Sequence, residues 1–209
     1  PGGADAMNKI AIVLNLQISG SGAPQRPIVH CRGHKTDKTI YARYRGIPAC
    51  TAANAQPPVQ ACAFGCLGFG DCVRSCKFDA LHIMDGLATV DYSKCTGCGA
   101  CSKACPRFLI KMVPFTNEPM TAVACSSRES GKNTRAFCKV GCIGCGICAK
   151  QTDLFTVADN LSRMNYEKYA PSEAVTTAMT KCPTKVIVYR GKTAPADVNP
   201  EEKQTAAAS

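Results

Sequence analysis

The sequence predicts an α+β fold of two small tandem modules, each built from short helices and a short β-hairpin rather than around a large apolar core. Three observations carry that prediction. Sixteen cysteines among 209 residues are far more than an ordinary soluble chain holds, while aromatic residues make up only 6% and tryptophan is absent. The chain also repeats itself. Val29-His30-Cys31 with Cys50, then Cys62, Gly65-Cys66-Leu67-Gly68 and Cys72, returns as Val123-Ala124-Cys125 with Cys138, then Gly141-Cys142-Ile143-Gly144 and Cys148. Each cysteine run is followed by two short alternating segments joined by a turn dipeptide. These are Ala80 to Met84, Asp85-Gly86 and Leu87 to Asp91 in the first half, and Leu154 to Ala158, Asp159-Asn160 and Leu161 to Asn165 in the second. Asp-Gly and Asp-Asn tolerate the positive φ that a two-residue hairpin turn requires.

Taken in order, residues 1–26 read as the tail of a preceding unit plus a linker. Met7 to Ile18 is apolar, and Ser19 to Pro27 is rich in Gly, Ser and Pro. The chain starts at Pro1 rather than Met, so a longer parent is expected. Residues 27–122 form the first module and 123–191 the second. Each closes on a further apolar strand, Leu109 to Val113 and Val186 to Tyr189. Residues 192–209 are polar, contain proline and lack periodicity, as a loosely held tail does. The longest apolar run, Ile10 to Leu14, falls far short of the roughly 18 to 20 residues that cross a bilayer, so no membrane span is expected in this chain.

The chemistry lies in Cys95, Cys98, Cys101 and Cys105, which with Pro106 spell C-x2-C-x2-C-x3-C-P. In two-cluster ferredoxins the first three cysteines of such a run hold one [4Fe–4S] cube and the fourth ligates the other. The modules therefore read as bacterial-ferredoxin-like. Crossed ligation assigns Cys76, Cys95, Cys98 and Cys101 to one cluster, and Cys62, Cys66, Cys72 and Cys105 to its neighbour. In that second set Phe69 occupies the place of a middle cysteine, and Cys62 is the substitute. In the second half Cys142, Cys145 and Cys148, with Cys182 before Pro183, make a third cluster. The sister of this third cluster is expected to be lost, because Thr152 replaces the fourth cysteine of the run and Tyr169 to Lys181 contains none. Cys31, Cys50, Cys125 and Cys138 remain. They could hold a fourth cluster or a zinc ion, or stay free as buried thiols, and Cys138 could instead serve the Cys142 cluster. The cofactors expected are thus three [4Fe–4S] clusters, with a fourth as an open alternative.

Several function classes are disfavoured. Dense disulfides belong mostly to much shorter secreted chains, and no signal peptide is visible. No Ser-His-Asp or paired-carboxylate arrangement stands out, so no catalytic residue is assigned. His30, His34 and His82 read as ordinary structural or surface histidines. The formal charge of +10 falls to about +4 with three clusters of about −2 each and to about +2 with four. That modest basicity suits an acidic protein partner. No Lys/Arg run interleaved with aromatics points to nucleic acid.

With those residues in view, the chain resembles the B subunit of Rnf electron-transport complexes in its long cluster-rich form. The likeness runs through ACAFGCLGFGDCVRSCKFDALHI at 61–83, VDYSKCTGCGACSKACPRFLI at 90–110, CKVGCIGCGICAK at 138–150, and from Asn165 to Val188. It implies a non-autonomous electron-transfer subunit at the cytoplasmic face of a membrane complex. Such a subunit takes electrons from reduced soluble ferredoxin and passes them to partner subunits that reduce NAD⁺ and translocate sodium ions or protons. Thr152 and Tyr169 depart from the family pattern. Two other classes fit the same cysteines: a relay subunit of a soluble oxidoreductase, and an interaction protein whose clusters are structural.

Overall fold

The computed structural model describes residues 3–14 and 22–194. Helix α1, Gly3–Leu14, covers the first part of the expected apolar stretch. The remainder of that stretch, the start of the linker and most of the expected C-terminal tail lie outside the described residues. No helix among the described residues is long and apolar enough to cross a membrane.

From residue 25 onward the two halves follow one strand topology. In the first, β1 (Gln25–Val29) pairs antiparallel with β4 (Ile110–Pro114), Val29 opposite Ile110, and encloses the hairpin of β2 (Leu81–Met84) and β3 (Leu87–Val90). In the second, β5 (Met120–Val123) pairs with β8 (Ile187–Arg190) around the hairpin of β6 (Phe155–Ala158) and β7 (Leu161–Met164). Short helices carry the cysteine segments: α2 (Cys50–Asn54), α3 (Asp71–Arg74) and α4 (Ala100–Ala104), then α5 (Gly131–Phe137) and α6 (Glu173–Lys181). Two boundaries differ from the sequence reading. Strand β1 begins inside the expected linker, because its pairing with β4 spans some eighty residues that no local pattern reports. Strand β5 begins at Met120, ahead of the expected module boundary.

Both hairpins turn as their dipeptides demand, with φ of 42° and 72° at Asp85 and Gly86, and 51° and 57° at Asp159 and Asn160. The cysteine loops rest on these turns. A Cβ on Gly68 would lie 2.6 Å from the Gly86 carbonyl oxygen, and one on Gly144 would lie 2.8 Å from that of Asn160. Gly68 also has φ of +75°, so Gly68→Ala combines a clash with backbone strain. It is expected to cost about 2 kcal/mol and to lower Tm by roughly 4–8 °C in a chain of this size. Gly22→Ala, which meets nothing within 4 Å, is the control. Equal anaerobic melting curves for the two variants would refute this packing.

Alternation along β1 feeds two cores. Ile28 joins Val113, Phe115, Met120, Phe155, Tyr169, Val175 and Val186 in the larger one. Val29 joins Leu81, Leu87, Leu109, Ile110 and several cysteines in the smaller. Residues 37–41 stitch the halves together. Thr39 N–H donates to the Phe137 carbonyl and Ala61 N–H to the Thr39 carbonyl, each at 2.9 Å, and Lys139 N–H donates to the Asp37 carbonyl at 2.9 Å. This crossing sets the segment ahead of Cys62 beside the segment that carries Cys138.

Candidate metal centres

The distal cysteines of the crossed pattern share one turn. Three residues after Cys76, Cys105 and Cys182, the backbone turns left-handed at Asp79, Phe108 and Lys185, with φ of 48°, 53° and 51°. The next N–H then donates to sulfur, Ala80 to Cys76 Sγ and Leu109 to Cys105 Sγ, both at 3.4 Å. Cys105 and Cys182 end α4 and α6 in extended conformation, as a residue before proline must.

Cys76, Cys95, Cys98 and Cys101 act on one another. Burial raises the pKa of Cys95, with Cys76 and Cys98 adding to the shift. Burial pushes the Cys101 thiol up to about 11, with further contributions from Cys95 and Cys98. Cys142, Cys145, Cys148 and Cys182 line a single cavity together with Pro183. There Ser162 N–H donates to Cys142 Sγ at 3.5 Å, and the Ser162 hydroxyl lies 3.1 Å from Cys148 Sγ. Both groupings follow the sequence reading.

The other two groupings differ from it by one exchange. The sequence joins Cys62 to Cys66, Cys72 and Cys105, but it is Cys50 that lines their cavity. Burial pushes the Cys72 thiol up to about 12, and Cys66, Cys50, Cys105 and, last, Cys101 raise it further. Cys62 instead lines a cavity with Cys31, Cys125 and Cys138, the set in which the sequence places Cys50. The reason is visible in three contacts. Phe69, standing where the middle cysteine would be, packs its ring at 5.0 Å against Tyr44 and so holds the loop that leads into α2. The Asp71 carboxylate accepts the N–H groups of Cys50 at 2.7 Å and Thr51 at 3.0 Å, fixing the start of α2 against α3. Partial burial pushes the Asp71 pKa up, yet these N–H groups outweigh it and hold the carboxyl below the usual carboxylate range. Cys138 likewise faces Cys31 and Cys62 rather than serving the Cys142 cavity. One sequence signal matches this arrangement: Cys62-Ala63-Phe64-Gly65-Cys66 corresponds to Cys138-Lys139-Val140-Gly141-Cys142 in spacing and in its glycine.

The place of the expected lost cluster is filled by packing. Thr152 hydrogen-bonds locally to Leu154 N–H. Tyr169 is buried with its hydroxyl 3.1 Å from that of Thr121, and α6 turns Val175 and Ala178 into the core. Ser172 caps that helix by accepting Val175 N–H. Of the histidines, His30 is buried. Burial brings its pKa down to about 4, and its Nδ1 donates to the Val123 carbonyl at 2.9 Å, across the two halves. His82 lies on the exposed side of its hairpin.

Among the described residues no three His, Cys, Asp or Glu side chains converge on a single metal ion. A cube with four iron corners asks instead for thiols spread around a cavity and for N–H donors aimed at sulfur. Both are present. Burial pushes the Cys125 thiol up to about 12, so cluster loading there would release its proton.

The four groupings fall in a row. The Cys72 site touches the Cys101 site, since Cys101 also raises Cys72. Cys66 N–H donates to Cys31 Sγ at 3.5 Å, joining the Cys50 cavity to that of Cys31. Cys125 and Cys142 interact in turn. Each end of the row holds one exposed cysteine, Cys98 and Cys145, whereas no cysteine of the two middle groupings is exposed.

A family described as "4Fe-4S binding domain" matches residues 88–111. The chain is 32% identical to the B subunit of the ion-translocating oxidoreductase complex of Methanosarcina acetivorans, over 90% of this chain and 71% of that protein. It is 36% identical to the B subunit of the proton-translocating ferredoxin:NAD(+) oxidoreductase complex of Clostridium ljungdahlii, over 100% of this chain and 73% of that protein. It is 35% identical to the Na(+)-translocating counterpart of Acetobacterium woodii, over 80% of this chain, and spans 50% of that relative's length.

Proposed function

The chain belongs to the B-subunit family of ion-translocating oxidoreductase complexes, and from that premise we propose that it is a one-electron relay of two tandem ferredoxin-like modules within such a complex. Ferredoxin is the donor, other subunits of the complex are the acceptors, and the site of action is the cytoplasmic face of the membrane. Bound [4Fe–4S] clusters would each take up and give back one electron. The chain's own residues hold them, exclude water and aim N–H groups at sulfur, which tunes potential.

The ligand sets we assign are Cys76, Cys95, Cys98 and Cys101; Cys50, Cys66, Cys72 and Cys105; Cys31, Cys62, Cys125 and Cys138; and Cys142, Cys145, Cys148 and Cys182. The observation that carries this reading is the row of four groupings with an exposed cysteine at each end. The set of Cys31, Cys62, Cys125 and Cys138 draws two cysteines from each half and is the step between them. Without it the two modules would be separate carriers.

Anaerobic assay of iron and acid-labile sulfide tests the count, and titration with reduced ferredoxin tests the role. About 16 irons per chain, reducible by ferredoxin, are expected. About 12 irons would remove the bridging site, and clusters that ferredoxin leaves oxidised would remove the relay.

A further inference from the structure

Two cations that no sequence motif marked lie among the interior cysteines. Lys38 is 8% exposed. Its ammonium donates to the Cys66 carbonyl at 2.8 Å, while its side chain lines the cavity of Cys31, Cys62, Cys125 and Cys138. Arg107 has the reciprocal placement. It lines the cavity of Cys50, Cys66, Cys72 and Cys105, and its Nη1 donates to the carbonyls of Cys62 at 3.1 Å and Gly65 at 2.7 Å. Each cation therefore borders one cavity and grips the main chain of a cysteine from the other.

Among the described residues no carboxylate pairs with either cation. An ammonium as enclosed as that of Lys38 is costly unless nearby negative charge compensates it. Carbonyl dipoles do so only in part, and four neutral thiols do not. A cluster with four thiolates, at about −2 when oxidised, supplies the missing charge.

We propose that Lys38 and Arg107 are positioning residues that set the potentials of the two interior sites, raising both so that burial does not turn the middle of the row into a barrier. The inference rests on the reading that both cavities hold clusters. Reduction adds one electron from the donor protein to a site, breaks no bond and needs no proton. A low-dielectric interior disfavours the added negative charge, and a fixed positive charge beside it offsets that penalty. Removing the cation therefore lowers the potential.

The test is an EPR-monitored redox titration of the anaerobic protein, with iron per chain measured on the same samples, for Lys38→Met, Arg107→Gln and the charge-retaining Lys38→Arg. Two of the four midpoints are expected to shift downward in Lys38→Met and in Arg107→Gln, at unchanged iron content. The other two midpoints stay in place, and Lys38→Arg stays near the wild type. Full iron content with all midpoints unmoved, or all four shifted together, would overturn the inference while leaving the cluster count standing. If Lys38→Met loses iron, Arg107→Gln decides the matter by the same criterion. A wild-type content of about 12 irons overturns the inference through its premise.

Discussion

Stripping iron from the anaerobic protein with a chelator is expected to unfold the smaller core, with its hairpin of β2 and β3, while the second half keeps protected strands. The difference follows from what each core is made of. In the smaller core, four of the ten buried residues are cysteines, Cys31, Cys66, Cys72 and Cys101. In the larger core only three of eighteen are, and Phe155, Met120, Tyr169, Val175 and Val186 supply apolar contact that needs no metal. The regular elements of the first half cannot stand alone. Its helices are five, four and five residues long, well under the roughly 12–15 at which an isolated helix becomes even marginal. Every sheet among the described residues has two strands, and an isolated pair is marginally stable at best, so each hairpin lasts only as long as the core it packs on. Apo cysteines there would be neutral thiols lining cavities, which contribute little beyond their small apolar area. Hydrogen exchange should then show loss of protection across Leu81–Met84 and Leu87–Val90 on chelation, with Phe155–Ala158 and Leu161–Met164 retaining theirs. Equal protection in the two hairpins after complete iron removal would contradict this division of the core.

The features legible in the sequence are those fixed by local rules. The two hairpins could be read from period-two alternation and a turn dipeptide, and their turn positions match the structure. The regular two-residue gaps at Cys95 to Cys101 and Cys142 to Cys148 likewise identified two cysteine groupings, because a short loop leaves the chain little choice in where such thiols point. What was not legible depends on contacts across long loops. The β1 to β4 pairing, the segment at 37–41 that joins the halves, and the detour that brings Cys50 beside Cys72 all depend on partners twenty or more residues away. Phe69 is instructive: at the sequence level it is an absence, a cysteine missing from a run. In the fold its ring against Tyr44 is part of what delivers the replacement. Lys38 and Arg107 left no signal because a single basic residue is usually a solvated one, and only their contacts to the main chain of the cysteine loops distinguish these two.

The exchange of Cys50 and Cys62 can be decided by pairing substitutions, because single variants do not separate the two assignments. Under either assignment Cys50→Ala and Cys62→Ala each empty one site and lose about four irons. The double variants differ. If Cys62 and Cys125 serve one cluster, as the cavity between the halves indicates, the pair Cys62→Ala with Cys125→Ala is no worse than either alone, at about four irons lost. If Cys50 serves the cavity of Cys66, Cys72 and Cys105, the pair Cys50→Ala with Cys125→Ala empties two sites and loses about eight. The assignment suggested by spacing alone gives the opposite result, about eight for the first pair and about four for the second. Ligands of one cluster act as a unit and are non-additive, whereas ligands of separate clusters add. Alanine is the right replacement, since a serine oxygen could still approach iron. The two outcomes also differ in consequence. Loss of the Cys31, Cys62, Cys125 and Cys138 site should leave the clusters at the two ends of the row intact but slow to exchange electrons. Loss of the Cys50 site should isolate the cluster of Cys76, Cys95, Cys98 and Cys101 from everything beyond it. Freeze-quench measurement of which signals appear first after mixing with reduced ferredoxin would separate these cases, and equal rates at both ends in the Cys62→Ala variant would show that the site between the halves is not on the path.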